Sequence, residues 1–185
     1  MDGVVVLLKA PGMTSSNAVY DVRRIFGQKR AGHTGTLDPG AAGVLPICLG
    51  RATRLFDYLV DKEKTYIAEL ALGAATDTQD AAGTVIARAR AAISRDRLIA
   101  ALPAFTGRIE QVAPAYSALK VNGRKMYDLA RAGEVVPERV RTAQIFELTL
   151  LEQTAPDRFL LRVRCSRGTY VRTLCADIGR ALGVP

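Results

Sequence analysis

The 185-residue sequence predicts an α+β fold, a mixed or antiparallel central sheet with helices packed over it. Two observations carry that expectation. Segments of strand character outnumber those of helical periodicity, and successive strand-like runs are separated by short polar turns, which favours antiparallel pairing. The helical signals are few but well spaced, above all near the C-terminus.

In chain order, the apolar run at residues 4–8 reads as a buried strand. It leads through Lys9-Ala10-Pro11-Gly12-Met13-Thr14-Ser15 into a helix. Ser15 or Ser16 is the expected N-cap, with Val19, Val22, Arg23 and Phe26 at helical spacing behind it. Residues 44–49 suit a short strand or turn, and residues 53–60 a helix. Tyr66, Ala68, Leu70 and Leu72 alternate along a half-buried strand at 64–72. Residues 73–83 are polar, acidic and turn-rich, and 84–90 form the next strand. Ser94 caps a helix bearing Leu98, Ile99 and Leu102, which Pro103 limits. Residues 116–121 read as a strand and 123–132 as a short helix ending at Gly133, in an excursion with few large apolar residues. Strands follow at 142–151 and 158–165. Val171, Leu174, Cys175, Ile178 and Leu182 then mark one apolar helix face, with Arg172 off that stripe in the first turn.

Charge separates the function classes. The net charge is +8. Between Arg23 and Arg54 lie six basic residues and one acid, Asp38, and residues 111–142 hold six more against three acids. A basic face of this kind fits a phosphate backbone, although a solvated surface would show the same excess. No apolar run approaches the roughly 18 residues needed to span a bilayer. The three cysteines lack CxxC spacing and there is a single histidine, so neither a zinc site nor a disulfide framework is expected. The cytoplasm is the expected compartment, with no metal and no cofactor, and nothing in the pattern calls for more than a monomer.

The stretch Gly32-His33-Thr34-Gly35-Thr36-Leu37-Asp38-Pro39-Gly40 concentrates the chemistry. Pro39 pushes Asp38 toward an extended backbone, and the glycines permit sharp turns close to a ligand. A carboxylate presented this way suits a nucleophile or general base; it also suits a turn in which Asp caps a backbone amide.

Residues 31–50, AGHTGTLDPGAAGVLPICLG, resemble the catalytic motif of the bacterial TruB-type tRNA pseudouridine synthases. Five further segments match in the family's order. These are the lysine-proline-glycine segment at 9–15, Lys64-Thr65-Tyr66, the threonine-aspartate turn at 77–80, the thumb-like PAYSALKVNGRKMYDLAR at 114–131, and SRGTYVR at 166–172. One departure is Ala10, which separates Lys9 from the proline that family members place directly after it. Members also continue past residue 185 into a further strand and a PUA-type RNA-binding domain. The resemblance therefore implies a catalytic domain over 1–185 with a thumb insertion at about 114–142, and no PUA-type domain in this chain.

It further implies isomerisation of uridine 55 in the tRNA T loop to pseudouridine, after the base is flipped from its stack. Asp38 is then the nucleophile, acting either at the ribose C1′ or through a glycal. Arg172 is the cation that keeps Asp38 ionised, an effect that operates within about 4–6 Å. Tyr66 stacks on the uracil with its hydroxyl near C5, Tyr170 shapes the pocket, His33 fills the space the base vacates, and Lys9 orders the loop. Lys120, Arg124 and Lys125 grip the T stem-loop. For both tyrosines core packing is the competing reading. Two other functions share these features: a non-catalytic tRNA-binding or folding module, and a guide-RNA-dependent H/ACA-type subunit, against which the compact N-terminus and bacterial-type thumb argue.

Overall fold

A computed structural model describes residues 1–60 and 63–185. It divides into two compact units, Met1–Lys62 and Glu63–Pro185. Every strand pair in both is antiparallel.

The first unit is a three-stranded sheet of order β1-β3-β2, with β1 at Gly3–Lys9, β2 at Ala31–His33 and β3 at Gly43–Leu49. Helix α1, Ser15–Ile25, packs Ala18 and Val22 onto Leu45, Ile47 and Leu49. Its N-cap is Thr14, not either of the expected serines. The Thr14 side chain accepts from the Asn17 amide, whereas Ser15 is buried and used elsewhere. A 3₁₀ helix at Gly50–Leu55 runs into α2, Phe56–Val60, so the helix expected at 53–60 is 3₁₀ up to Leu55 and α-helical from Phe56. Pro46 lies inside the central strand, where proline is normally excluded. Its carbonyl accepts from the Thr34 amide, just past the end of β2, so the donor it lacks points where no strand requires one.

The second unit is a four-stranded sheet of order β4-β11-β10-β7. Its strands are β4 at Lys64–Ala71, β7 at Gly107–Val112, β10 at Val140–Ala155 and β11 at Arg158–Cys165. Phe159, Leu161, Val163 and Cys165 alternate inward along β11 and meet Leu70 and Ile145. α3, Arg95–Ala101, and α5, Val171–Ala181, bring Leu98, Leu174, Ile178 and Leu182 to the same core. Each such side chain contributes roughly 1.5–3 kcal/mol by leaving water. Ser94 caps α3 as expected, by accepting from the Arg97 amide. β10 runs further in both directions than the pattern suggested and carries three register shifts against β11.

β7 has no counterpart among the sequence expectations. Its inward positions are Ile109 and Gln111, and a polar side chain at a buried position erases the two-residue hydrophobic period. Two hairpins complete the unit. β5, Ala74–Thr76, pairs with β6, Val85–Arg88, and β8, Lys120–Val121, pairs with β9, Arg124–Lys125. α4, Met126–Arg131, follows β9 directly.

The thumb-like segment differs from expectation in two ways. The strand expected at 116–121 is confined to β8, and the start of the helix expected at 123–132 is β9. Asn122 and Gly123 have φ of 51° and 82°, the paired left-handed conformation of a two-residue type I′ hairpin. Nor is the segment poor in burial. Val121, Met126 and Leu129 close over Ala113 in a small core of their own, with Met126 1% exposed.

Candidate active site

In the first unit the loop bearing Asp38 is tied down from beneath. Lys9 ends β1 fully buried, and its Nζ donates to the carbonyls of Ala10 (2.9 Å), Met13 (2.8 Å) and Pro39 (3.2 Å). The carbonyl of Ala10, the residue that departs from the family pattern, is thus one of three acceptors for this ammonium. The Pro39 carbonyl also accepts from the Gly12 amide at 2.8 Å. Ser15 joins α1 to the loop. Its Oγ donates to the Leu37 carbonyl (3.2 Å) and accepts from the Leu37 amide (3.0 Å). Leu37 itself packs against the core under α1.

Asp38 is exposed on top of this frame, and its carbonyl accepts from the Ala41 amide. Burial pulls the Lys9 ammonium below the usual lysine range while the charge of Asp38 acts in the opposite direction. His33, half-buried at the end of β2, is held below the usual histidine range by burial, opposed by a hydrogen bond to the Gly35 backbone. It is therefore neutral at pH 7. The sequence-predicted residues Lys9, His33 and Asp38 thus all lie in the first unit, Lys9 at the end of β1 bracing the loop that leads from His33 through Asp38.

In the second unit Arg172 stands in the first turn of α5 with its side chain 11% exposed. Nη1 donates to the Thr78 carbonyl at 3.1 Å and Nη2 to the Tyr116 carbonyl at 2.7 Å. Asp80 lies 3.8 Å away, an anion beside a cation that the helix dipole disfavours at this end. The turn that supplies Asp80 is internally closed. Thr78 donates to the Asp80 carboxylate, Thr76 to the Asp80 carbonyl, and Asp77 accepts from the Thr84 amide. The Thr78 hydroxyl and Asp77 carboxylate occupy the place where a Cβ on Gly83 would stand. Gln79 adopts φ 62° and accepts from the Thr173 hydroxyl at 2.7 Å, fastening this turn to α5.

The carbonyl of Tyr170 accepts from Gln111 Nε2 (3.1 Å), and its amide donates to Gln111 Oε1 (3.0 Å). A buried glutamine thus holds the residue before α5 as a strand partner would. The Arg172 guanidinium is 6.0 Å from the Tyr170 ring centroid. Tyr170 packs on the thumb's small core, while Tyr66, on β4 opposite Val163, packs on the main core. Gln111 and Ser15 are positioning residues that sequence reasoning missed, because each acts through a backbone partner distant in sequence.

The thumb cations differ among themselves. Arg124 makes a two-pronged ion pair with Glu134 at 2.8 and 2.9 Å. Lys125 donates to the Tyr127 hydroxyl at 2.9 Å. Lys120 is exposed and sits directly opposite Lys125 in the hairpin register, and like charges so opposed repel. The three cysteines are free thiols; burial raises all three and pushes Cys175 up to about 12. Among the described residues no helix is long and apolar enough to cross a membrane.

One unit that presents a braced acid and another, α+β with a buried core and a basic hairpin insertion, are the parts of a pseudouridine synthase class of catalytic domain. Residues 23–171 match the model of the TruB family pseudouridylate synthase N-terminal domain. The chain belongs to that family.

Curated relatives include the tRNA pseudouridine synthase B of Bacillus cytotoxicus, 50% identical across all of this chain and 62% of that protein. That of Geobacillus thermodenitrificans is 51% identical across all of this chain and 64% of its own length. The chain thus spans somewhat over three fifths of these two relatives. Among solved structures, a Cbf5-Nop10-Gar1 complex superposes with a TM-score of 0.75 at 33% identity, covering 98% of this chain and 45% of that one. An H/ACA RNP bound to a substrate RNA containing 2′-deoxyuridine gives 0.72 at 31%, covering 98% and 43%.

Proposed function

We propose that this chain is the catalytic domain of a tRNA pseudouridine synthase that converts uridine 55 of the T loop to pseudouridine. The observation that carries it is the exposed Asp38 on a loop whose backbone is fixed by a buried lysine and a buried serine. A turn aspartate needed only for capping would not require that scaffolding.

The reaction breaks the bond between uracil N1 and ribose C1′, forms one between C5 and C1′, and moves the C5 proton away while N1 gains one. Atoms and electrons balance within the nucleotide. Asp38 supplies the carboxylate nucleophile. Arg172 is the cation assigned to that charge, and the tie of its turn to α5 through Gln79 and Thr173 favours a guanidinium of fixed direction. Tyr66 offers a ring for stacking and a hydroxyl for the C5 proton, Tyr170 a wall, and neutral His33 a filler for the vacated stack. Lys120 and Lys125, opposed in their hairpin, gain when a phosphate comes between them; Arg124 contributes less, since Glu134 already holds it. We place the protein in the cytoplasm as a monomer.

The tRNA reading is favoured over a guide-RNA-dependent subunit by about 50% identity to the tRNA enzymes against 33% to the Cbf5 complex. The test is incubation with an unmodified tRNA transcript and no guide RNA, followed by carbodiimide-dependent primer extension. A new stop at T-loop position 55, absent for Asp38→Asn while tRNA binding persists, is expected. No stop with the unaltered chain overturns the reading, and a stop that survives Asp38→Asn removes the nucleophile.

A further inference from the structure

The end of α1 remote from the Asp38 loop carries a second feature that catalysis does not use. The helix closes in a Schellman turn: the Gln28 amide donates to the Arg23 carbonyl, the Gly27 amide to the Arg24 carbonyl, and Gly27 takes φ 57°. That turn folds Lys29 back beside the last helical turn. Tyr20, Arg23, Arg24, Gly27, Gln28 and Lys29 line a shallow, open groove of about 260 Å³.

Three properties single the groove out. Tyr20 is 66% exposed, an aromatic ring held at the surface on the same helix face as Arg23 and Arg24. Among the described residues Arg23 and Lys29 have no carboxylate within 4 Å, and Arg24 has only Asp21, at 4.0 Å. Finally, α1 has 11 residues and is about 16 Å long, and its other end is the one pinned to Leu37 through Ser15. Cations in a last helical turn complement the helix dipole, which accounts for Arg23 and Arg24. The dipole accounts neither for Lys29 beyond the turn nor for a solvent-facing tyrosine.

We infer that this groove is a second RNA-binding site, which takes backbone phosphates on Arg23, Arg24 and Lys29 and stacks an exposed base or ribose on Tyr20. The combination of a cationic track with an aromatic face is how proteins hold RNA without reading its sequence. The inference rests on the tRNA reading above and extends it. The RNA segment held here lies outside the one that reaches Asp38, because the two sites are at opposite ends of one rigid helix.

The experiment compares a full-length tRNA transcript with an isolated T-arm hairpin, each titrated onto the chain and onto Arg23→Gln/Lys29→Gln and Tyr20→Leu variants across a salt series. For full-length tRNA the double variant is expected to bind about tenfold more weakly. Its log–log salt slope should fall by roughly 1.5, since each lost phosphate contact removes about 0.7–0.9. Tyr20→Leu should weaken binding roughly fivefold or more with the slope unchanged. The hairpin should bind and react with every variant as with the original chain. Equal binding of full-length tRNA by all proteins overturns the inference. So does equal weakening for both RNAs, which would make the groove part of the T-arm site. Absence of pseudouridine on either RNA, with the binding difference intact, overturns the reaction assignment and leaves the groove standing. Circular dichroism melts of both variants matching the original chain exclude unfolding as the cause.

Discussion

The Asp38 loop and the thumb hairpin both carry residues that the sequence marks for RNA chemistry, yet they are held in opposite ways. The loop rests on buried polar bonds: Lys9 to three carbonyls and Ser15 to both backbone groups of Leu37. The hairpin rests on a small apolar cluster, and its charges sit outside it in solvent. Directional bonds fix where an acid points, which a nucleophile needs. An apolar footing fixes only where a segment stands, which suffices for gripping a flexible polyanion. The same division shows in the charges of the second unit. On the four-stranded sheet Arg158, Arg162 and Arg164 each meet a glutamate, Glu69, Glu147 and Glu63, so the positive charge of that run is already balanced within the sheet.

This contrast can be broken at several points. The largest effect is expected for Lys9→Met, which removes the donor to the Ala10 and Met13 carbonyls and leaves the Pro39 carbonyl with the Gly12 amide alone. Roughly 2–4 kcal/mol of unfolding free energy should be lost in a urea titration, together with turnover. A variant as stable and active as the original would show that the loop does not depend on its buried cation. Met126→Ala should cost roughly 2–4 kcal/mol within the thumb's own cluster. Here tRNA affinity should fall while single-turnover isomerisation at saturating tRNA is kept; loss of the saturated rate instead would mean the hairpin positions the reaction.

A smaller effect is expected from His33. Its folded-state pKa lies below the unfolded value, so the folded form resists protonation. Stability is complete above about pH 6.5 and declines as pH falls from there toward the folded pKa. Melts between pH 7.5 and 5 should therefore show a steeper decline for the original chain than for His33→Asn, and parallel curves would remove this account. The smallest effect belongs to Arg124→Gln. Its ion pair with Glu134 is exposed and salt-screened, so the melting temperature should not move measurably; a clear drop would give the thumb a polar anchor after all.

Much of this was legible beforehand, for identifiable reasons. α1, α3 and α5, and the strands β4 and β11, repeat their apolar residues at the period of the structure they form; β1, a continuous apolar run expected to be buried, instead leaves Val4, Val6 and Leu8 exposed on one face. β7 was hidden because its deepest position is Gln111, chosen to bond Tyr170 rather than to exclude water. The thumb hairpin was misread although Asn122-Gly123 is a strong turn signal, since the basic and helical residues behind it dominated the window. The motif residues Asp38, Tyr66, Tyr170 and Arg172 were visible as types in order. Their supports were not, because Ser15 and Leu37, or Gln111 and Tyr170, meet only when the chain folds.

Pro46 has a consequence for the whole loop. With His33 opposite Ile47, the next pair along would be Thr34 and Pro46, and only half of its two-bond rung can form, from the Thr34 amide. The zipper between β2 and β3 therefore jams at one tooth. From that tooth onward the strand has nothing to gain by staying flat, and the backbone is released outward, carrying its carboxylate into the open instead of being knitted into the fabric beside it.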